Sequence, residues 1–183
     1  VVSAGLPGRE PKTIVPYVKR LMDTGAHAPV FMTNQMAEKA EPDSLWRDRV
    51  EAILDATGEV PFGAYEVPSP YKRLMTPEMM GWAAKTGRFV FLKDTSLDAG
   101  VIAAKCAAIK GSPFRLFNAH VPILVEAIER GADGFCGIAG NAYPNIVAYA
   151  THHALEPGKA AKAQEFLTRN EKRLGMAYPL TAK

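Results

Sequence analysis

The chain has 183 residues, a length typical of one domain, with 48% hydrophobic and 22% charged residues, close to the average for globular proteins. Its net charge of +3 comes from lysines and arginines that are interspersed with acids, which argues against a nucleic-acid partner. No apolar run approaches the ~20 residues that a membrane span requires, so no membrane partner is expected either.

Two cysteines, Cys106 and Cys136, form neither a metal-binding spacing nor a disulfide framework. This usage is typical of the reducing cytosol, and we expect both residues to be packed thiols. No metal or cofactor is predicted. The first residues already have strand character without an initiator methionine, so we expect the chain to begin in the middle of a fold.

Strand-like apolar runs alternate with helical patterns along the whole chain. Pro77 after Thr76 and before Glu78 is typical of a helix start, and a glycine follows most of the helical segments. The six strand candidates are Val1–Ala4, Val30–Thr33, Phe62–Val67, Phe89–Lys93, Phe114–Asn118 and Gly134–Ala139. The predicted helix-terminating glycines are Gly25, Gly58, Gly87, Gly111 and Gly131.

Strands that recur every 20 to 30 residues with helices between them favour an α/β fold with a parallel sheet. The sheet is either doubly wound or closed as a barrel, and only six units are visible where a closed (β/α)8 barrel needs eight. Two further helices are predicted after the last strand, at Asn145–Ala154 and Lys159–Leu174.

In either parallel architecture, chemistry takes place at the carboxyl ends of the strands. Lys93 directly follows the apolar residues Phe89 to Leu92, and burial could lower its pKa from about 10.4 to roughly 7 or 8. An amine that is uncharged near neutral pH can attack a ketone. The alternative is an ion pair between Lys93 and Asp94 at the strand end.

Tyr65 lies near the end of the preceding strand candidate, which would place its hydroxyl beside the end of the Lys93 strand. A phenol in that position can relay protons, whereas the alternative is a core aromatic whose hydroxyl is satisfied at the rim. The glycine-rich stretch Gly134 to Asn141 leads into a helix near Pro144, so its backbone amides could receive a carboxylate. The alternative for that stretch is a tight turn without a ligand.

Three segments carry a family resemblance. Tyr65-Glu66-Val67-Pro68, Phe91-Leu92-Lys93-Asp94-Thr95 and Gly131 through Asn141 resemble, in order and spacing, the dihydrodipicolinate synthase and N-acetylneuraminate lyase family. In that family these segments end strands five, six and eight of a TIM (β/α)8 barrel. The tail from Ala177 to Lys183 resembles the start of a late C-terminal helix.

The resemblance implies a barrel that lacks the first two βα units. Residues 1–144 would then form strands three to eight, and residues 145–183 the last barrel helix and the start of the C-terminal helical region. Lys93 would form a Schiff base with pyruvate or a related 2-keto acid, and Tyr65 would shuttle protons. Cys136, whose backbone lies where the family holds the keto-acid carboxylate, is expected to contact the substrate together with Ile138 and His120.

Three positions depart from the family pattern. Asn34-Gln35-Met36 stands where the synthases usually have a tyrosine pair, and Pro70 stands where they have an arginine. Ala119-His120 replaces the acidic pair of the lyases. These differences argue against both aspartate semialdehyde and sialic acid as substrates.

We therefore predict a lyase or aldolase of class I that makes or breaks a carbon–carbon bond next to a lysine-bound 2-keto acid. The alternative is a lyase-like barrel that binds a small keto acid without turnover, or that serves as an assembly scaffold. The family resemblance further implies a homotetramer without a cofactor, and the cysteine usage places the protein in the cytoplasm.

Overall fold

A computed structural model describes residues 5–176, 178 and 180. The strand predicted at Val1–Ala4 lies outside the described residues, as does most of the segment predicted to begin a late C-terminal helix. The strands are β1 Val30–Met32, β2 Phe62–Tyr65, β3 Phe89–Asp94, β4 Arg115–Asn118 and β5 Gly134–Phe135. The α-helices are α1 Pro11–Asp23, α2 Thr33–Met36, α3 Asp43–Ala56, α4 Pro77–Lys85, α5 Ala99–Ala108, α6 Leu124–Glu129, α7 Ala139–Ala142, α8 Pro144–His152 and α9 Ala161–Gly175, with a short 3₁₀ helix at Val121–Ile123.

Two compact units make up the described chain. The first unit comprises the described residues of Val1–Lys93 together with Ala108–Arg115. The second unit comprises Asp94–Ala107 together with the described residues of Leu116–Lys183.

Parallel strands form the sheet of the first unit. β1 pairs with β2, β2 pairs with β3, and a single parallel bridge joins Gly5 to Val30. Aromatic rings fill the space beneath these strands, where Phe31 stacks on Phe62 at 4.7 Å between ring centroids and Phe89 lies 5.7 Å from Phe114. Burial of such large rings contributes strongly to stability, and it fixes the strands that end at Tyr65 and Lys93.

The second unit repeats the parallel arrangement on a smaller scale. β4 and β5 are parallel with Phe117 opposite Gly134, and the N–H of Ala119 donates to the carbonyl of Asp94 over 3.0 Å. An apolar core joins the 3₁₀ helix to α6, α7, α8 and α9. Its buried residues are Val121, Leu124, Ala139, Val147, Ala150, Leu167 and Leu174.

The predicted strand and helix order is confirmed for the described residues, and so is the coarse class of an α/β fold with parallel strands. The last strand is shorter than predicted, because Gly134–Phe135 is the whole of β5 and Ala139 already begins α7. The predicted start of α4 is correct, since the Thr76 side chain accepts a hydrogen bond from the N–H of Met79 over 3.2 Å. All five glycines predicted to end helices have positive φ angles.

Within the part of the chain that the structure describes, none of the helices combines the length and the apolar character that a bilayer crossing would need.

Candidate functional site

Tyr65 and Lys93 face each other across the β2–β3 ladder. They are direct register partners at the carboxyl ends of the two strands, and Nζ of Lys93 lies 4.4 Å from the centroid of the Tyr65 ring. Both side chains are partly buried. The structure thus brings together the two residues that the sequence predicts as nucleophile and proton carrier.

Local sequence explains why Lys93 stands on this edge. β3 begins with Phe89, which packs among the aromatic rings of the first unit, and ends with Lys93 and Asp94. Adjacent side chains in a strand point to opposite faces, so these two residues are turned away from each other. Among the described residues, no hydrogen bond or ion pair engages Lys93 Nζ, which lies against the Tyr65 ring.

Asp94 does not form the ion pair with Lys93 that was the alternative prediction. Its carboxylate instead bonds to Lys105 Nζ over 2.6 Å, and both of these side chains are fully buried. The other carboxylate oxygen accepts hydrogen bonds from the N–H and the hydroxyl of Ser96, at 2.9 and 2.7 Å. A buried carboxylate with a charged partner and two further donors is well satisfied, so it fixes the chain immediately after Lys93.

The chain that follows Tyr65 is also tied down. Glu66 is fully buried, and its carboxylate accepts a hydrogen bond from the N–H of Met75 over 2.8 Å. The N–H of Glu66 donates to the carbonyl of Lys93 over 3.2 Å, which extends the β2–β3 pairing one residue beyond Tyr65. Tyr65 therefore lies between the hydrogen-bonded β2–β3 ladder and a loop in which Glu66, at one end, bonds to Met75 near the other end.

His120 and Ile138 lie in the second unit. Nδ1 of His120 is 3.3 Å from a carboxylate oxygen of Glu171, and Ile138 is 40% exposed at a small pocket of about 150 Å³ that Glu171 also lines. The Glu171 carboxylate at this pocket opposes the binding of an anionic ligand there.

Cys136 is exposed, so its predicted packing as a buried thiol is wrong. The reason is local, because glycine follows Cys136 and the chain turns away from the sheet there. The N–H of Cys136 is committed to the carbonyl of Asn118 over 2.8 Å. In the described residues the next two amides, of Gly137 and Ile138, have no such acceptor, so these two are the donors that a carboxylate could use.

The other predicted thiol, Cys106, lies in α5 and is partly buried. Burial, assisted by the negative charges of Asp133 and Asp94, raises its pKa to about 11. A thiol with such a pKa is protonated at neutral pH and is a poor nucleophile. In the described part of the chain, no group of three or more histidine, cysteine or acidic side chains is placed to hold a metal ion.

Similar proteins put this geometry in context. No protein-family model matches the chain. A 4-hydroxy-tetrahydrodipicolinate synthase from Exiguobacterium sp. is 25% identical over 169 residues, which cover 92% of this chain and 56% of the synthase. The resemblance to the dihydrodipicolinate synthase family is confirmed.

Two solved structures share the fold at lower identity. A 2-keto-3-deoxygluconate aldolase from Picrophilus torridus superposes with a TM-score of 0.78 at 19% identity and covers 98% of this chain and 65% of the aldolase. The second structure is a prophage protein of the dihydrodipicolinic acid synthase family from E. coli K12 in complex with pyruvate. It has a TM-score of 0.78 at 20% identity, and the match covers 98% of this chain and 61% of the prophage protein. Relatives of this family imply a TIM barrel, whereas the chain spans little more than half the length of the curated synthase.

Sequence reasoning missed two parts of this site. One is the Asp94–Lys105 pair, for which a signal existed, because Lys105 is the only charged residue of the otherwise apolar helix α5. The other is the anchoring of the loop after Tyr65 by Thr33 and Asn34, both buried. Their partners lie more than 30 residues away in sequence, and no local pattern indicates such contacts.

Proposed function

We propose that this protein is a class I lyase or aldolase in which Lys93 forms a Schiff base with pyruvate or a related 2-keto acid. One observation carries the proposal. Nζ of Lys93 lies 4.4 Å from the ring centroid of Tyr65, at the carboxyl ends of two parallel strands where such enzymes hold their reactive groups. A carbon–carbon bond next to the imine is then made or broken.

The proposed chemistry starts with attack of the uncharged Lys93 amine on the keto carbon. One hydrogen from the nitrogen and one further proton leave with the carbonyl oxygen as water, and a protonated imine remains. The imine draws electrons from the neighbouring carbon, which lowers the barrier to forming a carbanion there. The Tyr65 hydroxyl, held at the edge of the same sheet, shuttles protons while the carbon–carbon bond is made or broken.

The proposed site also includes the residues that the sequence predicts to contact the substrate. Substrate binding by His120, Cys136 and Ile138 stays a prediction, with the amide of Ile138 better placed to donate than that of Cys136. A barrel lacking its first two βα units, the division into residues 1–144 and 145–183, a homotetramer and a cytoplasmic location also remain predictions.

The experiment is borohydride trapping of the intact protein. The protein is incubated with pyruvate and a panel of other 2-keto acids, reduced, digested and analysed by mass spectrometry. We expect one reduced adduct on the peptide that carries Lys93. Absence of an adduct with every 2-keto acid, in protein that is shown to be folded, would remove the proposal.

Binding without turnover is the second candidate function. Asn34-Gln35-Met36 stands where the related synthases usually have a tyrosine pair, so the proton relay of this chain differs from theirs. An adduct on Lys93, without exchange of the pyruvate methyl protons for deuterium and without cleavage of any 2-keto-acid aldol, would favour this candidate.

A further inference from the structure

The loop of residues 66–76, between β2 and α4, has no regular secondary structure, yet buried side chains hold its backbone. Such a segment would otherwise leave many backbone groups without partners. The loop directly follows Tyr65, the last residue of β2. The contacts that Thr33, Asn34, Tyr71 and Arg73 make to hold the loop lie within the first unit.

Asn34 provides the central contact. Its side chain is 7% exposed, and its amide nitrogen lies 3.2 Å from the carbonyl oxygen of Val67, 2.9 Å from that of Ser69 and 2.7 Å from that of Tyr71. The two N–H groups of this amide are thus shared among three carbonyls at alternate positions of the loop. No hydrophobic side chain of similar size could replace it, because the three carbonyls would lose their donor.

Tyr71 closes the same arrangement from the loop side. Its hydroxyl lies 2.6 Å from the backbone oxygens of both Asn34 and Ala37. Burial raises the pKa of this phenol, so it stays protonated and keeps its hydrogen-bond donor across the neutral range. Asn34 and Tyr71 therefore bind each other's segments reciprocally.

Two further side chains tie down the flanks of the loop. Thr33 donates its hydroxyl to the carbonyl of Arg73 over 2.6 Å, and the same oxygen is 3.4 Å from the carbonyl of Tyr65. The Arg73 guanidinium bonds to the backbone oxygens of Glu38 and Glu41 at 2.8 and 2.9 Å. The loop is therefore fixed to α2 and to the segment that follows it.

We propose that Asn34 is a positioning residue for Tyr65, which deepens the proposed function and rests on it. Asn34 touches neither Lys93 nor the reacting atoms, but it fixes the loop backbone that directly follows Tyr65 at the end of β2. A displacement of about 1 Å in a proton carrier can cost ~100-fold in rate. Loss of the Asn34 amide should therefore slow the proton transfers more than imine formation, which depends on Lys93.

The experiment compares Asn34→Ala with Thr57→Ala in the intact protein. Thr57 is a matched control, because its hydroxyl also bonds to backbone oxygens in the first unit, those of Ile53 and Leu54 at the end of α3. Two rates are measured with pyruvate: borohydride trapping on Lys93, and exchange of the methyl protons for deuterium by NMR. The pH dependence of the exchange is recorded as well.

Asn34→Ala should trap an adduct within about 2-fold of the wild-type level while its saturating exchange rate falls at least ~10-fold. Thr57→Ala should change neither the level of trapped adduct nor the exchange rate. An Asn34→Ala variant that exchanges as fast as Thr57→Ala, or that loses trapping and exchange in the same proportion, would overturn the proposal. If Asn34→Ala does not fold, Asn34→Ser, which keeps one donor, is measured in its place with the same expected order.

A separate readout distinguishes this inference from the proposed function. In protein labelled with ¹³C at the tyrosine rings, the Tyr65 signal is assigned with Tyr65→Phe. If the wild-type protein forms no adduct at all, the proposed function fails, and the Tyr65 signal alone decides the positioning role. A signal displaced in Asn34→Ala but not in Thr57→Ala supports that role, and an unmoved signal overturns it.

Discussion

Lys93 and Tyr65 meet as partners across a parallel ladder, and the amine faces the aromatic ring at 4.4 Å. The phenol therefore has two separable properties: a ring that the lysine contacts and a hydroxyl that can carry a proton. Phenylalanine keeps the first property and removes the second. The proton-carrying role of Tyr65 can therefore be tested without removing the ring that Lys93 contacts.

Tyr65→Phe should still form the trapped Lys93 adduct, whereas exchange of the pyruvate methyl protons should fall ~100- to 10,000-fold, the usual contribution of a general acid–base group. The exchange is followed by NMR in deuterated water. Tyr149→Phe is the control, since Tyr149 is 44% exposed on α8 and lies against His153. Equal exchange rates in Tyr65→Phe and the wild type would show that the hydroxyl carries no proton in this step.

The contributions of Asp94 and Lys105 to the free energy of unfolding should be strongly coupled. Lys105→Ala leaves the Asp94 carboxylate buried without its charged partner, and we expect a loss of about 3–5 kcal/mol in the free energy of unfolding, measured with urea. Replacing both, as Asp94→Asn with Lys105→Met, should cost clearly less than the sum of the two single changes. Additive losses would mean that the 2.6 Å contact is not a functional ion pair in solution.

Gly137 and Gly140 should respond differently to the same substitution. A methyl group on Gly137 would lie 2.6 Å from the carbonyl oxygen of Ala119 and would also collide with the Phe135 ring, whereas nothing lies near Gly140. Gly137→Ala should cost about 1–3 kcal/mol of stability, because backbone must move to admit it. Gly140→Ala, inside α7, should change stability by no more than ~1 kcal/mol. Thermal unfolding of the two variants makes the comparison, and equal melting temperatures would contradict it.

The two cysteines should differ in their reactivity towards a thiol reagent. At pH 8 iodoacetamide should modify exposed Cys136 first and leave Cys106 largely intact, as peptide mapping can show. The pKa of Cys106 is about 11 in the folded chain against an ordinary 9.0, so its thiol favours the folded state below pH 9. That contribution is lost as the pH rises from 9 to 11. In Cys106→Ala, the free energy of unfolding should therefore fall less between pH 9 and pH 11 than in the wild type. An equal fall in both proteins would show that groups other than Cys106 cause it.

Much of the fold could be predicted because the relevant signals are local. Apolar runs end at polar residues where β2 and β3 end, and Thr76 with Pro77 defines the start of α4. The sequence pattern predicts too long a last strand, because its glycines permit both a strand and a turn, and only the packing against Ala119 and Phe135 decides between them.

The supporting half of the site could not be predicted, since its contacts connect distant parts of the chain. Asn34 bonds to carbonyls 33 to 37 residues away, and those oxygens belong to the backbone, which carries no sequence signal. The pairing of Asp94 with Lys105 has one sequence signal, the single charge on α5, but adjacent Lys93 is the obvious partner by sequence, and only strand geometry turns Lys93 to the opposite face.

The most direct test of the central claim compares pyruvate trapping in the wild type, in Lys93→Arg and in Lys110→Arg. Lys110 is an exposed lysine outside the site, so its variant controls for non-specific reductive alkylation. The intact mass after borohydride reduction should increase by one reduced pyruvyl group in the wild type and in Lys110→Arg, and should not increase in Lys93→Arg. The same increase in Lys93→Arg, or no increase in any of the three, would contradict a Schiff base on Lys93.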